Sequence, residues 1–133
     1  MTREEKQQFT FRITQANPTQ MVVILYEMLL YYLAEAKAAV DGADVQALHK
    51  AVRCARGCLN ELIQSLHMEY EPAPALMRLY LFCLRRLAIG DVRCQAEPFQ
   101  EITQVIEPLR DAYGKIAETN PAGPVMVDSS LFW

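Results

Sequence analysis

Between Pro18 and Glu118 the apolar residues recur at spacings of three and four, no useful length of alternating pattern occurs, and turn signals cut the run into four segments. A chain written this way has to bury helix faces against helix faces. Asn17-Pro18-Thr19-Gln20 opens the first segment. Asn17 is a capping side chain, Pro18 suits the first helical position, and Gln20 stands where it can reach back to the cap. The segment runs to Val40, and Asp41-Gly42 ends it. Asp44 caps a second segment lasting to about Tyr70. Pro72 and Pro74 break that helix and open a third, which ends near Ile89-Gly90. A fourth runs from about Ala96 to Glu118, before Asn120-Pro121-Ala122-Gly123-Pro124 closes the helical region. Short connections favour antiparallel neighbours. The expected fold is therefore all-α: an antiparallel up-down four-helix bundle over residues 17–119, an N-terminal segment (1–16) packed over it, and a C-terminal tail (120–133).

The four segments are not alike. The second carries one narrow stripe, Val45, Leu48, Val52, Ala55, Leu59, Leu62 and Leu66, and the fourth does the same with Phe99, Ile102, Ile106, Leu109, Tyr113 and Ile116. In the first, Met21, Leu25, Met28 and Tyr32 make one stripe, while Val22, Tyr26, Leu29, Leu33, Ala36 and Val40 make another. The third is apolar from Leu76 to Ile89 apart from Arg78, Arg85 and Arg86. Helices this apolar are normally buried over most of their circumference, yet a four-helix bundle leaves every helix partly outside. Three covers are available: the chain's own tails, a second copy in a homodimer, or a different protein. Phe9, Phe11 and Ile13 fall at alternate positions and suit an extended segment laid over an apolar groove, and Leu131-Phe132-Trp133 is an apolar end. The arginines of the third segment are read either as a solvated edge or as the rim of that groove, pairing with acidic residues of a partner helix.

Bulk composition excludes several function classes. The 133 residues fit one domain, and 13 basic against 16 acidic residues give a net charge of −3, so no dense cationic stripe exists for nucleic acid. The uncharged stretch Met21–Ala34 is broken by Glu27 and is too short for a bilayer, which needs about 20 residues. Met1-Thr2-Arg3-Glu4-Glu5-Lys6 has no apolar run behind it, so no export leader and no membrane insertion are expected. A cytoplasmic location follows, with Cys54, Cys58, Cys83 and Cys94 as free thiols. Cys54 and Cys58 lie one helical turn apart with His49 and His67 on either side, but the spacing forms no closed metal site. Ser65, His67 and Glu69 resemble a triad in letters only, because residues two apart on a helix point in different directions. No phosphate-binding glycine loop occurs. No catalysis, metal or cofactor is expected. Gly57, inside the second segment, is read as a close helix contact.

Several blocks resemble the flagellar secretion chaperones of the FliS family. Ala16-Asn17-Pro18 followed by Leu25-Tyr26-Glu27 is similar to that family's opening, Ala36 and Ala39 continue it, and Glu61-Leu62-Ile63-Gln64-Ser65-Leu66 matches a later segment. Leu79-Tyr80, Arg85-Arg86-Leu87 and Leu109-Arg110-Asp111-Ala112-Tyr113 follow in order, and together the blocks span about residues 13–117. Met28 replaces the family's glycine, Phe9 and Phe11 stand for its early tyrosines, and Pro108 falls inside the fourth segment, where it should kink or break the helix. The resemblance implies a helical bundle that holds the C-terminal helical region of flagellin in the cytosol and prevents its premature polymerisation before secretion. The residues expected to contact that partner are Met21, Ile24, Leu25, Met28 and Tyr31 of the first segment, with Tyr80 and Arg86 of the third; Phe9, Phe11 and Ile13 form the N-terminal cap. The alternative is a self-associating structural bundle, a homodimer without a flagellin client.

Overall fold

The computed structural model describes residues 1–119, and Leu131-Phe132-Trp133 lies outside them. Among the described residues there are five helices and no strand: α1 (Arg3–Gln15), α2 (Pro18–Asp41), α3 (Val45–Gln64), α4 (Ala73–Arg93) and α5 (Glu97–Thr119). Helix α2 packs against α3 and α5, and α4 packs against the same two from across the core, so the four follow one another in a ring. Helix α1 touches α2 alone to any extent.

The caps act where the sequence places them. Asn17 Oδ1 accepts from the Gln20 amide at 2.8 Å while Gln20 Oε1 accepts from the Asn17 amide at 3.0 Å, which satisfies two amides that α2 itself leaves without partners. Asp44 Oδ1 accepts from the Ala47 amide at 3.0 Å and starts α3. Helix α3 stops at Gln64 rather than near Tyr70. The Ser65 amide reaches the Glu61 carbonyl, its Oγ donates to the Leu62 carbonyl at 2.7 Å, and the chain turns away toward the prolines.

Four further expectations are corrected by the structure. Residues 3–15 form a helix and not an extended strap, because Thr2 and Glu5 make a reciprocal capping box that nucleates it. Helix α4 does not end at Gly90 but continues to Arg93, with Cys94 closing it at φ 52°. Gly90 is there for packing: a Cβ on it would stand 2.6 Å from the Phe99 ring of α5. Gly57 marks no helix contact, since nothing lies within 4 Å of the position its Cβ would take. Helix α5 runs through Pro108 without a break. Pro108 is exposed, while Ile106 before it is buried in the core and Leu109 after it packs against that core, so both sides are held by tertiary contacts.

At the centre, Tyr26 of α2 and Tyr80 of α4 share a hydrogen bond between their hydroxyls at 2.6 Å, and the Tyr113 ring of α5 meets Tyr26 edge-on at 5.9 Å. Burial pushes the pKa of both phenols up, so each stays neutral and able to donate or accept. Leu29, Leu33, Leu59, Leu62, Leu87, Phe99 and Ile106 belong to the same core.

Two measurements check this packing. Gly90→Ala should cost about 1–3 kcal/mol in denaturant unfolding, because the fully buried Phe99 has no free direction to move, whereas Gly57→Ala should gain about 0.5–1 kcal/mol from reduced chain entropy. Tyr26→Phe or Tyr80→Phe alone should cost about 1–3 kcal/mol by leaving one buried hydroxyl without its partner, while the double variant should lie closer to the parent than the two single losses added together. An additive cycle would mean that the hydroxyl pair is not a coupled unit.

Candidate partner-binding surface

Helix α2 is apolar nearly all round, and the structure assigns its faces. Val22, Tyr26, Leu29, Leu33 and Ala36 point into the core. Tyr32 lies beside Cys54 and Cys58 of α3, and burial raises the Tyr32 pKa to about 12 with these two thiols adding to it. Met21, Leu25 and Met28 share that stripe; Leu25 is buried and the two methionines are half-buried against the core. Ile24, one turn from both Met21 and Met28, is buried without belonging to the core cluster. It is covered from outside, at the side where α1 lies.

Helix α1 makes this cover with polar contacts. None of its own residues is fully buried. Arg12 pairs with Glu27 at 2.5 Å, Glu5 accepts from the Tyr31 hydroxyl at 3.0 Å, and the Met1 amine meets Glu35 at 2.6 Å. Glu27, Tyr31 and Glu35 are spaced four apart, so they stand in line on one face of α2 and form a ladder for α1. Phe9 and Ile13, also four apart, are half-buried, and the Arg12 guanidinium sits 5.7 Å from the Phe9 ring centre. Phe11 stands on a different side of α1 and is 65% exposed. Their alternate spacing in the sequence thus places them on different sides of a helix.

Where α1, α2 and the end of α5 meet, a groove of about 890 Å³ opens. Phe11, Val23 and Ile24 give it an apolar lining, while Glu27, Arg110 and Lys115 bring charges. The structure does not gather the seven expected contact residues in one place. Met21, Ile24, Leu25, Met28 and Tyr31 are linked by spacings of three and four around the outer side of α2, with Leu25 buried and the Tyr31 hydroxyl bonded to Glu5 of α1. Tyr80 is inside, 1% exposed, with its hydroxyl already bonded to Tyr26. Arg86 is half-buried and pairs with Glu101 of α5 at 2.9 Å, inside the molecule rather than with a partner. Sequence reasoning passed over Arg12, Glu5, Glu27 and Glu35. The available signal was that Glu27 and Glu35 are acidic residues in an otherwise greasy helix, two turns apart.

No helix among the described residues is long and apolar enough to cross a membrane. The family described as "Flagellar protein FliS" matches residues 1–120. No curated protein matches the chain.

The polar attachment of α1 has a pH signature. The hydrogen bond from the Thr2 amide, more than any other contact, holds the Glu5 carboxyl below its usual range, and the Tyr31 hydroxyl pulls the same way. A carboxyl with a lowered folded-state pKa stabilises above the ordinary carboxylate pKa and loses that effect as pH falls through its folded value. Acidification below about pH 4 should therefore loosen both the cap of α1 and its attachment. Arg12→Ala combined with Tyr31→Phe should do the same at neutral pH, raising the rate of chymotryptic cleavage at Phe9 and Phe11 several-fold. The melting temperature should stay near that of the parent. An unchanged cleavage rate would show that these contacts do not hold α1.

Proposed function

Because the chain belongs to the FliS family of flagellar chaperones, we propose that it is a cytoplasmic export chaperone that binds the C-terminal helical region of flagellin and prevents its polymerisation before secretion. In this reading residues 17–119 are an antiparallel up-down four-helix bundle, residues 1–16 are a cap, and residues 120–133 are a tail. One observation carries the proposal: Ile24 is buried on the outer side of α2, away from the core cluster, under a helix that has no fully buried residue of its own. An apolar surface covered by a weakly held polar helix can be handed to another helix at little cost, since α1 leaves without opening the core.

The mechanism is mass action. A client helix laid over Ile24, Val23 and Tyr31, and along Met21, Leu25 and Met28, buries the apolar face with which it would otherwise assemble. Tyr80 supports that surface from inside by fixing Tyr26, and Arg86 holds α4 to α5 through Glu101. Phe9 and Ile13 give α1 its apolar hold in the free protein. Their burial favours the closed state by about 1.5–3 kcal/mol for each fully buried side chain, less here because both are half-exposed, and ordering the chain opposes it.

A peptide covering the C-terminal helical region of flagellin from the same organism should bind one-to-one and gain helicity, followed by titration calorimetry and circular dichroism. Removing residues 1–15 should leave its affinity equal or higher. No heat and no helicity change at high micromolar peptide would rule out flagellin as the client, and loss of binding in a folded truncated protein would place α1 in the binding surface.

A further inference from the structure

Along its contact with α3, the outward edge of α4 stays exposed. Five of the seven large apolar residues exposed among the described residues, Val45, Met68, Tyr70, Leu81 and Val92, lie on α3, α4 or their connection. The contact between His49 near the start of α3 and Asp91 near the end of α4 fixes which flanks meet. Stepping back from Asp91 by three and four residues gives Ala88, Leu84, Leu81 and Met77, one continuous stripe along the groove. Leu81 is 41% and Val92 82% exposed, while Leu84 and Met77 are half-buried. On α3 the same stepping from His49 gives Arg53, Arg56, Asn60 and Ile63. Arg78 and Arg85 follow the outer edge of the α4 stripe, and all four arginines are exposed.

Both rims of this groove are thus cationic, on a chain whose net charge is −3. Asp91 is hydrogen-bonded to His49. Glu61 stands one turn from Cys58, off the line from His49 to Ile63. Arg86 is turned toward α5. We infer that the α3–α4 groove is a docking site for an amphipathic helix with acidic flanks. Between His49 and Ile63 the groove is about 21 Å long, at about 1.5 Å per residue, and holds roughly four turns of such a helix. A second copy is the wrong occupant, because a two-fold pairing through this face would set the four arginines against their own copies. The inference does not depend on flagellin being the client, nor on α1 leaving α2.

The test uses the full chain and two dye-labelled peptides of 16 residues, helical by design, with leucine at heptad positions and either glutamate or lysine on both flanks. Fluorescence anisotropy at low salt should show the glutamate peptide binding at least tenfold tighter than the lysine peptide. Amide shifts in an NMR titration should fall along Leu81, Leu84, Val92 and Val45. The variant R56E/R85E, altered only at exposed side chains, should reverse the preference, and Leu81→Asp should weaken the glutamate peptide at least tenfold. Equal affinity for both peptides, no binding of either, a preference untouched by R56E/R85E, or shifts confined to α1 and α2 would each overturn the proposal. So would a dimer of the free protein that Leu81→Asp converts to monomer.

Discussion

Two phenol hydroxyls meet in the middle of an apolar core, and the positions of the helices follow from that meeting. Tyr26 and Tyr80 stand on α2 and α4, which lie across the ring from one another rather than side by side. A buried hydroxyl without a partner is costly, so each tyrosine is tolerated inside because the other is there. Their contact sets the distance across the core, and Tyr113 closes on it from α5. Phe99 then has to lie where only a glycine at position 90 lets α4 and α5 come together. One polar contact and one missing side chain therefore define a core otherwise filled by interchangeable aliphatic groups.

Around this core the surplus apolar surface is handled in two different ways. On α2 it is divided between the α3 flank and a strip roofed by α1, whose attachment is ionic and polar. On α4 it is left open, edged by arginines. Neither solution adds much to stability. Exposed ion pairs contribute little, and an open leucine such as Leu81 contributes less than a buried one. In the role proposed for them, both keep apolar surface within reach of a helix from another molecule.

Much of the scaffold was legible because caps and breakers act locally. Asn17 with Gln20, and Asp44 before Ala47, announce helix starts that tertiary packing had no reason to override. Assignment of α2's faces was harder, since two stripes of equal hydrophobicity compete and only the partners decide. The N-terminal helix was misread because Phe9, Phe11 and Ile13 alternate, while the stronger signal was the Thr2–Glu5 box preceding them. Gly90 and Gly57 look alike in sequence; one is crowded by Phe99 and the other is open, a distinction set by a residue nine positions away in one case and by none in the other. Tyr80 stands among the expected contact residues, but its environment depends on Tyr26, 54 residues earlier.

The ladder of Glu27, Tyr31 and Glu35 is separate from everything that holds the core together, and this has an evolutionary consequence. A substitution at Gly90 or Tyr26 is judged first by whether the chain still folds. Under the proposed mechanism, a substitution at Arg12, Glu27 or Tyr31 passes that filter almost freely and is judged only by how readily α1 lets go. Selection can therefore adjust the threshold for opening in small steps, lineage by lineage, without renegotiating the fold.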